Sequence, residues 1–231
     1  MTMSGWFGFA LAYAAFLLSH AIPMRPRVKA RLASAFGQRG YLIGYVAVSV
    51  ALLAWLIHAA NNAPYVPLWS YAPWQRWVPN LAMPVVCLLV AFALGAPNPL
   101  SFGGARLQDF DPDRPGIAGV TRHPILWALA LWAGAHLVPN GDLAHAILFA
   151  GFVIMALSGM RAIDRRNRRR LGEAEWARLT ARTSAVPLSS LIGGRWRPRG
   201  MPDLRRIAIA VVVWAALLAL HGPIIGVSPL P

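Results

Sequence analysis

The sequence predicts an all-α protein: a polytopic integral membrane bundle of about six transmembrane helices with a basic cytoplasmic helical extension. Three observations carry that prediction. Of 231 residues, 57% are hydrophobic and only 13% charged, and the mean hydropathy is +0.50; a soluble domain has a far larger charged share. Six apolar windows, each free of Asp, Glu, Lys and Arg, approach the run of about 20 residues that a helix needs to cross the hydrocarbon core. The basic residues are confined to alternate loops.

The windows fall at about 5–22, 41–60, 78–96, 124–139, 143–160 and 207–226. The first has neither a basic leader nor an A-x-A-like site ahead of a soluble domain, so it reads as a retained helix and not a signal peptide. Between the second and third lies "NNAPYVPLWSYAPWQRW", whose aromatics and prolines suit an interfacial belt. Segment 97–120, "PNPLSFGGARLQDFDPDRPGIAGV", has the Pro, Gly and Asp content of an ordered loop. Segment 161–186 is rich in helix formers, with apolar positions at Ile163, Leu171, Trp176 and Leu179. It reads as an extension of the fifth helix followed by a helix along the membrane surface. No internal repeat divides the chain, so residues 1–231 are expected to form a single membrane domain. Cys87 is the one cysteine; inside the third window it reads as a small packing residue, and no disulfide or CxxC site can form.

The net charge of +14 invites a nucleic-acid reading, and the placement of the charges argues against it. Five basic residues fall in the first loop (Arg25, Arg27, Lys29, Arg31, Arg39), three in the third (Arg106, Arg114, Arg122) and thirteen between Arg161 and Arg206. Of the 22 only Arg76 is left for the opposite side. Loops one, three and five are therefore expected to be cytoplasmic, with both termini on the outer, periplasmic side of a bacterial-type inner membrane. Such charge suits anionic lipid headgroups better than DNA, so membrane lipids are the expected partners and nucleic acid is not.

With the spans free of charge, the six histidines are the residues left for chemistry. On this topology His20 closes the first helix and His123 opens the fourth, both on the cytoplasmic side; His58, His136, His145 and His221 fall toward the other face. A pair at one depth can bind one object between two helices. The alternative for either residue is an interfacial side chain bonded to headgroups or a carbonyl. Pro124 suits the first position of a helix and restrains His123 away from helical geometry. Two neutral imidazoles, with Arg122 beside one and Arg25 and Arg27 just after the other, would suit a haem: iron between the nitrogens and propionates on the cationic edge.

"TRHPILWALALWAGAHLVPNGDLAHAILF", "IDRRNRRRLGEAEW" and "RTSAVPLSSL", with "LLSHAIPMRPRVKARLASAFGQRGYLIGY" and "APYVPLW" upstream, resemble the NnrU family of membrane proteins over about residues 5–195. That family includes the plant zeta-carotene isomerase, and the resemblance implies a haem b protein with histidine ligation. Matched by position, the ligands and catalytic residues would be His20 and His123, the pair that depth also isolates. His58 is the nearest counterpart of a further functional histidine, after a shift of a few residues, and His136 matches one downstream of the RHP turn. The family's GDRR pattern becomes "AIDRR" here, keeping Asp164, Arg165 and Arg166 and losing the glycine. The resemblance implies a role in nitrite and nitric oxide reduction during denitrification, or redox isomerisation of a lipid-soluble polyene.

A more distant similarity is to isoprenylcysteine carboxyl methyltransferases, in which an RHP turn helps to bind S-adenosylmethionine. It implies that Arg122, His123 and Asp164 lie near that cofactor, although the paired glutamates of those enzymes are missing. A non-catalytic reading is an assembly factor for respiratory nitrogen-oxide reductases that docks through the arginine-rich segment. The expected small-molecule partner is lipid-soluble or gaseous.

Overall fold

The computed structural model describes residues 3–23, 25–104 and 107–230; Arg106 of the third-loop cluster lies outside them. The described chain is helical, and its one β-bridge joins Pro67 and Asp142. Each apolar window lies on a helix: α1 (Met3–Ala21), α2 (Pro26–Asn61), α3 (Trp77–Ala93), α5 (Pro124–Leu137), α6 (Leu143–Leu171) and α9 (Leu204–Ile225). Short α4 (Ile117–Val120), α7 (Glu173–Thr180) and α8 (Ser189–Ile192) lie between them. Four helices are long and apolar enough to cross a membrane: α2, α3 with its leading turn from Pro73, α6 and α9. α1 has 19 residues and α5 has 14.

The chain divides into two compact units. The first comprises Met1–Ser70 and Gly141–Leu148. Here α1 buries Phe9, Ala12 and Phe16, and α2 buries Tyr41, Leu56, Ala59 and Ala60. Gly5 lies against the Asn62 carbonyl and Pro64, so the start of α1 meets the end of α2 and the two run antiparallel. α2 is broken at Gly37, where φ is 71° and ψ 161°. The basic stretch expected as a loop is therefore helical. Pro26 starts it at a position where its missing N–H costs nothing, and Ala, Arg, Lys and Leu continue it. At the other end, Leu68 N–H donates to Gly141 O and Leu143 N–H to Val66 O (2.7 and 2.9 Å), tying the aromatic loop to the first residues of α6.

The second unit comprises Tyr71–Asn140 and Phe149–Pro231. α3 and α5 pack through Val86, Leu89 and Ala128, and α5 and α6 through Leu126, Ala130, Ala156 and Met160. Alanine on the buried face lets backbones approach closely, which is how helices pack where lipid supplies no hydrophobic drive. α9 lies antiparallel to α3 and is tied to it at both ends. Arg206 donates to Ala91 O and Leu94 O (2.6 and 3.0 Å), while Arg76 and Asn80 donate to Leu230 O and Pro229 O (2.8 and 2.6 Å). Only Ala210 of α9 is buried, and Val211, Val212 and Leu220 are half exposed or more; an apolar helix so uncovered is built to face lipid. Segment 97–120 is mostly irregular, with one 3₁₀ turn at Leu107–Asp109 and the single turn α4.

Candidate functional site

α5 starts at Pro124, so His123 is its cap residue, with φ −119° and ψ 60° outside the helical range. The imidazole is fully buried. Ser101 Oγ lies 3.0 Å from its Nδ1, and Asp164 Oδ1 lies 3.0 Å from its Nε2. A carboxylate oxygen can only accept here, so Nε2 carries the proton and Nδ1 accepts from the serine hydroxyl. The other carboxylate oxygen, Asp164 Oδ2, accepts from Arg122 Nη2 at 2.9 Å. Arg122 Nη1 donates to Thr183 Oγ1 at 3.1 Å, and the guanidinium lies 5.0 Å from the Trp176 ring centroid. Arg122 Nε is buried and has no hydrogen-bond acceptor among the described residues.

The loops are held as firmly as the side chains. Asn98 donates to Arg122 O at 3.1 Å and accepts from Leu100 N–H at 3.0 Å, and Asn167 donates to Leu100 O at 3.0 Å. Arg122 N–H donates to Ser184 O, Thr121 Oγ1 and Trp127 Nε1 both donate to Ala185 O, and Leu188 N–H donates to Val120 O. The "RTSAVPL" motif is thus the physical complement of the "TRHP" motif. Gly119 belongs to the same seam: a Cβ there would run into the indole of buried Trp196.

Asp164 lies in the charged stretch of α6 that begins at Arg161. Burial works against its ionised form. The hydrogen bond from His123 and the charge of Arg122 outweigh burial, and its pKa sits below the ordinary aspartate value. Arg165 points outward and is exposed.

His20 has a different environment, in the first unit. Its Nδ1 lies 2.9 Å from Phe16 O and 3.2 Å from Ser19 Oγ. Since a carbonyl only accepts, Nδ1 donates, and the Nε2 lone pair has no partner among the described residues. The ring lies 4.3 Å from Phe16 and edge-on to Tyr45 at 5.9 Å. Tyr45 and Ser19 also line an apolar cavity of about 300 Å³ between α1 and α2, whose wall is opened by Gly40 and Gly44. Tyr41 stacks on Tyr45, and Lys29 stands 5.9 Å over the Tyr41 ring, so aromatic side chains link the histidine to the cationic start of α2. Arg25 and Arg27 are exposed there.

The remaining sequence-derived candidates are not part of either group. His58 bonds Asn62 at the exposed end of α2, and His136 Nδ1 donates to Trp132 O at 2.8 Å within an aromatic cluster with Trp132 and Phe149. Sequence reasoning missed Ser101, Asn98, Asn167 and Thr183. No local spacing marks Ser101 and Asn98; Asn167 and Thr183 lie in the "IDRRNRRRLGEAEW" and "RTSAVPLSSL" motifs without a role assigned.

The family model described as NnrU protein matches residues 8–229, nearly the whole chain. The chain belongs to the NnrU family. No curated protein and no solved structure matches it significantly. In this NnrU chain the imidazoles are the candidate iron donors. An iron ligand needs an imidazole lone pair that faces open space. His20 Nε2 has no partner among the described residues, and Ser19 and Tyr45, next to the ring, line the apolar cavity. His123 does not meet the condition in this arrangement, because its ring is buried and both nitrogens are engaged.

Proposed function

We propose that this NnrU family protein is an integral membrane haem b protein in which His20 Nε2 ligates the iron, Arg25 and Arg27 meet the propionates, and the apolar cavity admits a lipid-soluble or gaseous substrate. One observation carries the reading: the His20 ring, its tautomer fixed by the Phe16 carbonyl, leaves Nε2 without a partner among the described residues, and its neighbours Ser19 and Tyr45 line an apolar, aromatic cavity. Haem is an apolar disc with an anionic edge, and such a ligand requires both an apolar slot and cations. No Asp or Glu occurs before Asp109, so the first-loop cations have no acidic neighbour in sequence to neutralise them. Bound haem would supply one-electron chemistry and an open iron position. The protein's share is to fix the ligand's tautomer, exclude water with Phe16, Tyr41 and Tyr45, and hold the carboxylates at the membrane surface. Nitrogen-oxide reduction and redox isomerisation of a polyene are the two activities for which such a site is suited.

In this reading the bundle has six spans, and the charged part of α6 beyond Met160 and α7 form a basic cytoplasmic extension. Both termini are periplasmic.

The test is a visible spectrum of the protein purified after expression with ample haem. A Soret band is expected, abolished or shifted in His20→Ala and unchanged in His123→Gln. Absence of the band from the folded wild type would sink the proposal.

A second reading has one observation in its favour: Arg161, Arg165, Arg166, Arg169 and Arg170 are exposed and make no ion pair among the described residues. A docking surface for a nitrogen-oxide reductase would have that character. Neutralising Arg165, Arg166, Arg169 and Arg170 would then block reductase maturation while leaving any Soret band intact. S-adenosylmethionine binding is the weaker alternative, because Asp164 already accepts from both His123 and Arg122.

A further inference from the structure

The second unit holds a chain of groups that haem binding at His20 does not use. Ser101 Oγ, His123 and Asp164 are joined in series at 3.0 and 3.0 Å. A hydroxyl on an imidazole nitrogen, with the other nitrogen held by an oriented carboxylate, is the arrangement that activates a serine nucleophile. The ring is turned the other way from that of serine proteases, since Nδ1 faces the serine; either nitrogen can act as base. We propose that Ser101 is the nucleophile of an acyl-transfer site whose substrate is an ester of a membrane lipid.

Three features of the surroundings support this. The relay is rigid: Asn98 and Asn167 clamp the loop at Leu100, and Arg122 holds the far oxygen of Asp164. Access is one-sided, because the imidazole is wholly buried whereas Ser101 is part-exposed and its neighbour Phe102 is 49% exposed. The peptide N–H groups of Phe102 and Gly103 donate to nothing among the described residues, and they follow the serine in the chain where an oxyanion would need donors.

The substrate class follows from depth. The apolar run of α5 begins at Pro124 and the charges of α6 begin at Arg161, so the Ser101–His123–Asp164 chain lies at the boundary of hydrocarbon and headgroup. Ester carbonyls of glycerolipids occupy that boundary.

The chemistry balances without a redox partner. Ser101 Oγ attacks the ester carbonyl carbon as its proton passes to His123 Nδ1, and the carbonyl π pair moves to oxygen. Collapse of the tetrahedral oxyanion breaks the bond to the alcohol, which leaves with the proton from Nδ1. Water, deprotonated by the same nitrogen, then attacks the acyl-serine and releases a carboxylic acid. Asp164 stabilises the imidazolium formed in each half.

The site is independent of the haem reading, and its test reads covalent modification and ester hydrolysis, not a spectrum. Full-length protein in phospholipid nanodiscs is treated with a fluorophosphonate, and the adduct is located by mass spectrometry. The expected result is an adduct on Ser101, absent in Ser101→Ala, and formed on the order of 10⁴-fold more slowly in Asp164→Asn. Hydrolysis of p-nitrophenyl butyrate should fall to background in Ser101→Ala, a change too small to unfold the chain and checked by its circular dichroism. No Ser101 adduct on folded wild type, an adduct formed equally fast in His123→Gln, or equal ester hydrolysis by wild type and Ser101→Ala would each overturn the proposal.

Discussion

At position 164 one carboxylate accepts from two groups at once, a buried imidazole and a guanidinium whose side chain is 12% exposed. Replacing it with alanine leaves His123 Nε2–H and Arg122 Nη2–H in a poor dielectric without their acceptor, and a broken buried pair of this kind costs about 3–5 kcal/mol. Asp164→Ala should therefore lower the melting temperature in detergent well below that of an exposed control such as Asp111→Ala; equal losses would remove the buried pair from the account. The sign of the pH effect follows from the lowered pKa of Asp164. Its contribution is fully present above the unfolded-state value near 3.8 and is lost as pH falls through the lower folded value. Wild type should thus lose its stability advantage over Asp164→Asn only in acid, and an advantage constant down to the lowest pH at which both remain folded would contradict it. Arg122, His123 and Asp164 were legible in the sequence because charge and histidine are rare in an apolar chain. Ser101 and Thr183 were not, since their bonds to His123 and Arg122 span 22 and 61 positions and leave no local pattern.

Among the helices, what could be read in advance was what lipid dictates. A span must be a charge-free apolar run of nearly fixed length, so all six runs appear as helices within a few residues of their expected limits at the apolar ends. The misread stretch was residues 26–36, where dense positive charge suggested a loop although most of the residue types favour helix. Its junction with the rest of α2 depends on one residue. Gly37 adopts φ 71°, ψ 161°, a region that a Cβ makes costly by about 1–3 kcal/mol, and nothing lies within 4 Å of the position a Cβ would take. The cost of Gly37→Ala is therefore backbone strain alone. Gly44 is equally open but lies in regular helix, where alanine is favoured by up to about 1 kcal/mol. Thermal unfolding of the two variants should move in opposite directions, Gly37→Ala down and Gly44→Ala level or up. If both rise, the break at residue 37 is not a feature of the folded chain.

For the whole molecule, the question is whether α5 crosses the bilayer. Its 14 residues span roughly 21 Å, against about 30 Å of hydrocarbon, and by length and composition it falls outside the four clear spans. Charge and geometry both favour the crossing, the arrangement proposed above. The bond between Arg122 and Asp164 fixes the start of α5 and the charged stretch of α6 at one level, so α6 can return to that level only from the far side. If α5 stayed on one face, α6 would carry Arg165, Arg166, Arg168, Arg169 and Arg170 to the outside, against the positive-inside bias expected of so basic a stretch. Single-cysteine variants in a Cys87→Ala background, probed with a membrane-impermeant maleimide on intact cells, decide between the two. With α5 crossing, Tyr65→Cys and Asn140→Cys react from outside and Arg169→Cys reacts only after permeabilisation. Protection of Asn140→Cys together with outside labelling of Arg169→Cys would instead mean that α5 does not cross and that at most five helices do, with the arginine-rich stretch facing away from the cytoplasm.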